Sequence, residues 1–195
     1  MKIVGQKSLY EGWGNYLLVT VERADGSRVK REVEHHGDGA AVLAYDPVRR
    51  TALFVRQLRI PILLAAGAGE TLEVAAGLID DDEAPETCIR REAMEEMGLR
   101  VERLEPVATI QSMPGISTER LHLFLAPYGE GDRVGEGGGL AGEDEQITIV
   151  EMPLAELAAL ADRGELTDAK SLILLQTLRV KHPDLFGAPA AAASV

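Results

Sequence analysis

Glu92, Glu95 and Glu96 are the residues of this 195-residue chain best suited to chemistry. They lie in the stretch GLIDDDEAPETCIRREAMEEMGL, residues 77–99, whose second half reads as a helix. At about 100° per residue, Glu96 falls roughly 40° from Glu92 and Glu95 roughly 60° from it, so three carboxylates share one side. Like charges one turn apart repel, which costs a helix a few tenths of a kcal/mol per pair. The pattern makes sense if a cation is held there. Hard divalent ions such as Mg²⁺, with Mn²⁺ as a substitute, take oxygen ligands: a few carboxylates plus substrate phosphates. For EAMEE alone, a solvated acidic face is the competing explanation. Arg91 either contacts a phosphate or forms an ion pair that fixes Glu83 or another carboxylate.

The elements around this stretch must position it. Ile89, Ala93 and Met97 fall on the neighbouring face and pack inward, and Gly98 stands where a helix end wants a left-handed residue. Pro85 suits the first helical turn. Residues 70–76 are expected to form a strand leading in, after which Gly77 allows a tight turn and Ala76 can offer its carbonyl to a metal. Residues 39–45 and 51–57 read as strands buried on both faces, joined by DPVRR. Arg56 and Arg59 follow, as rim residues or phosphate contacts. The apolar, then glycine-rich segment 61–69 is expected to be a flexible connection. It lacks the lysine of a P-loop.

Further strands are expected over 100–111, 121–127 and 147–152, with helices over 153–163 and, capped by Asp168, over 168–181. SMPGISTER, residues 112–120, is a loop. The glycine-rich, acidic stretch 129–146 reads from composition as a surface loop. Near the start, residues 15–23 and 28–34 flank an Asp-Gly turn as a β-hairpin. That hairpin serves either to pair with another chain or as an edge of the same domain.

Composition bounds the function. A net charge of −12 argues against a general nucleic-acid or anionic-membrane surface. The single cysteine, Cys88, precludes an intrachain disulfide and reads as a small buried residue, which fits a reducing cytoplasm. No apolar run reaches membrane-spanning length. His35 and His36 show no zinc-site spacing; His122 reads as a strand-face residue, and His182 suits a helix end.

Gly77, Glu83 and Arg91-Glu92-Ala93-x-Glu95-Glu96-x-Gly98-Leu99 match every fixed position of the Nudix box, so the chain resembles a Nudix hydrolase. The likeness extends through REV at 31–33, RQLRI at 56–60, the MPGISTER loop and GLAGEDEQI at 139–147, and resembles the branch of ADP-ribose and GDP-mannose pyrophosphatases. It implies an α/β Nudix fold: an α/β/α sandwich on a mixed sheet, preceded by an N-terminal antiparallel β extension. The implied domains are 1–37, a dimerising extension; 38–187, the catalytic domain; and 188–195, a frayed tail. The implied metal ligands are the Ala76 carbonyl, Glu92, Glu95, Glu96 and Glu145. The resemblance marks Glu143 as base or water-orienting group, and Glu95 and Glu96 as catalytic. It assigns substrate contacts to Arg31, Arg56, Arg59 and Pro114. Met113-Pro114-Gly115-Ile116 departs from the family's Ser-Pro-Gly-Gly, which leaves the sugar preference open. The implied enzyme is a cytoplasmic homodimer that hydrolyses a nucleoside diphosphate sugar, with GDP-mannose ahead of ADP-ribose, to a nucleoside monophosphate and a sugar phosphate. The alternative is a non-catalytic nucleotide sensor, although no box glutamate is missing.

Overall fold

The computed structural model describes residues 1–139 and 146–187. Two sheets organise them. The first is a three-stranded antiparallel sheet of β1 (Lys2–Glu11), β2 (Asn15–Glu22) and β3 (Arg28–His35). The second has seven strands: β4 (Gly39–Asp46), β5 (Thr51–Leu58), β6 (Glu70–Glu73), β7 (Ala75–Leu78), β8 (Glu105–Gln111), β9 (Arg120–Pro127) and β10 (Thr148–Pro153). Its order is β10-β5-β4-β9-β8, with β6 on β5 and β7 on β4. The β4–β9 pair is parallel and its neighbours are antiparallel, so the sheet is mixed.

Successive side chains of a strand point to opposite faces, and β4 shows what this achieves. Ala40, Val42 and Ala44 join a core with Leu53, Val55, Phe124 and the buried side of helix α2 (Pro85–Met97). Ala41, Leu43 and Tyr45 join a second core with Phe54, Leu123 and helices α3 (Leu154–Asp162) and α4 (Ala169–Lys181). Every β4 residue is buried, as the continuous apolar runs of β4 and β5 require. Helices therefore cover both faces, giving the expected α/β/α sandwich.

Four expectations need correction. Residues 61–69 are not a plain connection: Ile60–Ala66 form helix α1, with Pro61 in its first turn and Gly67 closing it through an N–H bond to the Leu63 carbonyl (2.9 Å). Residues 70–76 are two strands rather than one. The chain leaves β5 and joins β4 at Val74, whose N–H is taken out of the ladder by Ser171 Oγ (2.8 Å). The strand expected over 100–111 begins only at Glu105, because Arg100 N–H bonds the Asp132 carbonyl (2.8 Å) instead. Finally, β1 was not anticipated: all of its residues are exposed, so no burial pattern marks it.

Candidate functional site

Helix α2 carries the carboxylates, and β7 runs against it. Gly77 is required by close approach: a Cβ there would fall 1.9 Å from Glu92 Oε1. Glu96 is almost fully buried at 3% exposure, and its Oε2 accepts the Ala76 N–H (3.2 Å). Gly98 ends the helix at φ 63°, as its position in the sequence implies.

Arg91 is the tie among these acids. It donates to Glu83 Oε2 (3.1 Å), Glu92 Oε1 (2.7 Å), Glu95 Oε2 (3.1 Å) and the Leu78 carbonyl (3.3 Å). The ion-pair role expected for Arg91 thus involves Glu83 and two other carboxylates together. The Arg91 hydrogen bond holds Glu83 below the usual carboxylate range. Cys88 lies beneath, buried, with its Sγ 3.3 Å from the Leu78 carbonyl. Burial, reinforced by Glu92 and Glu83, pushes its thiol up to about 12.

A cleft of about 450 Å³ is lined by Ala76 and Gly77, the backbone that Glu96 and Glu92 contact; the α2 carboxylates themselves do not line it. Arg59 and Lys170 stand elsewhere on its wall, with Trp13, His36 and Glu119 further along. Arg59 forks onto Glu73 through Nε and Nη2, both 2.8 Å. Lys170 bonds the same carboxylate and Asp168 Oδ1 (3.0 Å), and Thr71 Oγ1 donates to Glu73 as well. Burial alone would raise the Glu73 carboxyl, but Arg59 and Lys170 outweigh it and hold it at about 2. At the other end the Trp13 ring stacks on His36 with centroids 5.0 Å apart, and His36 Nε2 lies 3.4 Å from Glu119 Oε1. The end of β3 docks on the loop that carries Pro114: Glu34 N–H bonds the Ile116 carbonyl (2.8 Å), and Thr118 N–H bonds the Glu34 carbonyl (3.1 Å).

Of the residues singled out in the sequence, the structure gathers Ala76, Glu92, Glu95 and Glu96 around the box and places Arg59 on the cleft wall. Arg56 is exposed on β5, and Arg31 is exposed on β3, bonded to the Lys30 carbonyl (2.9 Å). Of the predicted site residues that are described, Ala76 and Arg59 line the cleft, whereas Arg31, Arg56, Pro114, Glu92, Glu95 and Glu96 do not. Glu143 and Glu145 lie outside the described residues. Trp13, Glu73, Glu119 and Lys170 had no functional assignment from sequence. Trp13 offered one signal, as the only tryptophan of the chain.

Among the described residues, no three His, Cys, Asp or Glu side chains stand together as a ready metal-ligand set. Arg91 draws Glu92 and Glu95 to itself while Glu96 turns to Ala76. The donors nevertheless suit a divalent cation. Glu83, Glu92 and Glu95 share one guanidinium, and Glu96 is buried beside them. That leaves an excess of oxygen-borne negative charge, the environment a hard ion takes.

Comparison with known proteins bears on this arrangement. A family model described as NUDIX domain matches residues 35–175. A protein of Cronobacter sakazakii named GDP-mannose pyrophosphatase is 40% identical over 186 residues, covering 93% of this chain and 96% of the relative. One of the same name from Escherichia coli O1:K1 is 38% identical over 163 residues, covering 82% and 84%. A crystal structure of an ADP compounds hydrolase superposes with a TM-score of 0.72 at 20% identity over 94% of each chain, a likeness of fold.

Proposed function

The chain belongs to the NUDIX family, and from that premise we propose that it hydrolyses the diphosphate bridge of a nucleoside diphosphate sugar. GDP-mannose is the first candidate and ADP-ribose the second. The products are a nucleoside monophosphate and a sugar phosphate. One observation supports this reading: the cleft that bears Arg59 and Lys170 on its wall is also lined by Ala76 and Gly77, the backbone that Glu96 and Glu92 contact. A diphosphate needs both, oxygen ligands to hold its counter-cation and fixed positive charge of its own. The names of the relatives from Cronobacter sakazakii and Escherichia coli favour GDP-mannose.

In this reading the Ala76 carbonyl, Glu92, Glu95 and Glu96 hold Mg²⁺, with Mn²⁺ as a substitute, and Glu145 adds a ligand. Such an ion, when bound, neutralises phosphate charge and lowers the pKa of water so that it can attack near neutral pH. Glu143 orients that water or takes its proton. Glu95 and Glu96 also belong to the catalytic set. Arg91 ties Glu92 and Glu95 of α2 to Glu83 in the turn before it. Arg59 and Lys170, held by Glu73, present positive charge to the diphosphate. Arg31, Arg56 and Pro114 contact substrate in the homodimer, to whose site both copies contribute.

Residues 1–37 form the dimerising extension and 38–187 the catalytic domain. Ile3, Val4, Leu9 and Tyr10 lie exposed on β1, and covering these apolar side chains supports the reading that the enzyme works as a homodimer. No helix among the described residues is long and apolar enough to cross a membrane, and the buried, free Cys88 suits a reducing cytoplasm. A panel of nucleotide sugars with Mg²⁺, scored for monophosphate release, tests the substrate class. GDP-mannose should lead, and activity confined to nucleoside triphosphates would overturn the assignment.

A further inference from the structure

A helix leaves its last carbonyls without partners inside the helix. At the end of α2 a glycine-rich segment takes them up. Gly139 N–H bonds the Glu95 carbonyl (3.1 Å) and Gly138 N–H the Glu96 carbonyl (2.8 Å), while Val134 and Gly135 N–H both bond the Gly98 carbonyl (2.9 and 3.0 Å). The two backbones touch. A Cβ on Gly137 would lie 2.7 Å from the Glu96 carbonyl oxygen, and Gly137 itself has φ +66°. A Cβ on Gly98 would lie 2.2 Å from the Gly135 carbonyl oxygen. Only glycine on both sides permits this approach.

We propose that residues 134–139 form a positioning strap for the carboxylates of α2. The strap grips the carbonyls of Glu95 and Glu96, the two residues at the helix end assigned to hold the cation. Its hold on the backbone fixes where their side chains start. The inference rests on the hydrolase reading above and adds a role for a stretch whose composition reads as ordinary loop.

Wild type, Gly137→Ala and Gly131→Ala are compared by Mn²⁺ titration with electron paramagnetic resonance of the free ion, and by kcat and KM on the nucleotide sugar. Gly131 is the control, since a Cβ there meets nothing within 4 Å. Supporting partners of metal ligands are worth about ten- to a hundredfold in affinity or activity. Gly137→Ala should therefore weaken Mn²⁺ binding and lower kcat by about tenfold or more, with KM within about twofold. Gly131→Ala should match wild type. Should Gly137→Ala fail to fold, Gly138→Val and Gly138→Asn form a second pair. Among the described residues a Cβ there meets nothing nearer than the Ile147 carbonyl oxygen at 3.8 Å, so the φ of +98° is the obstacle. Asparagine tolerates a left-handed backbone better than a β-branched residue, so Asn should retain what Val loses. Strap variants that bind Mn²⁺ and turn over like wild type overturn the strap's role. A wild type that neither binds Mn²⁺ nor turns over overturns the hydrolase reading beneath it.

Discussion

Gly77 and Glu92 show how tightly the box is built. The carboxylate of Glu92 occupies the space where any other residue at 77 would place its Cβ, 1.9 Å from Oε1. Gly77→Ala must push Glu92 aside, and a misplacement of about 1 Å in a catalytic constellation costs about a hundredfold. Steady-state kinetics should show that loss in kcat, while far-UV circular dichroism stays that of the wild type. Beneath the same helix, Cys88 is buried with its thiol pushed up to about 12. Since the thiolate is the reactive form, folded protein at pH 8 should resist a disulfide reagent and react only after denaturation. Rapid labelling of the native protein would contradict that placement.

At the scale of elements, Glu73 joins β6 to the start of α4 through Lys170 and to the segment before α1 through Arg59. Its carboxyl sits at about 2 when folded, against an ordinary 4.5. A depressed carboxyl stabilises the fold above its unfolded pKa and loses that contribution as pH falls through the folded value. Urea unfolding of the wild type should therefore weaken between about pH 4.5 and 2. Glu73→Gln should flatten that part of the profile and cost about 3 kcal/mol at pH 7, because it removes the buried carboxylate that Arg59 and Lys170 share. An unchanged acid profile would show that the pair contributes nothing.

This network also marks where the sequence stopped being legible. Periodicity placed α2, the spacing of its glutamates and the Gly98 stop, because those are local patterns. Asp168 was readable as a cap, and its carboxylate does accept the Ser171 N–H (3.0 Å). The contact of Glu73 with Lys170 spans 97 positions, and no local pattern carries it. The break at Val74 depends on Ser171 in the same way. Helix α1 was hidden because its glycine-rich end looks like a hinge and its side chains bury nothing. The backbone partners of the glycine strap were beyond reach for the same reason as Lys170.

For the whole molecule, the three-stranded sheet meets the catalytic body mainly through Glu34, His35 and His36 on the loop 116–119. A surface such as β1, with Ile3, Val4, Leu9 and Tyr10 exposed, suits a second copy. Replacing Ile3 and Leu9 with lysine should shift sedimentation from dimer to monomer. In the proposed reading the carboxylates of α2 hold a divalent cation that makes diphosphate cleavage possible. Its most direct test is monophosphate release from GDP-mannose by wild type and Glu96→Gln across a magnesium titration, with an arm in excess chelator. Saturable magnesium dependence, lost in chelator and reduced by about two orders of magnitude or more in Glu96→Gln, is the result expected. Equal turnover in chelator, or a Glu96→Gln variant as active as wild type, would contradict it.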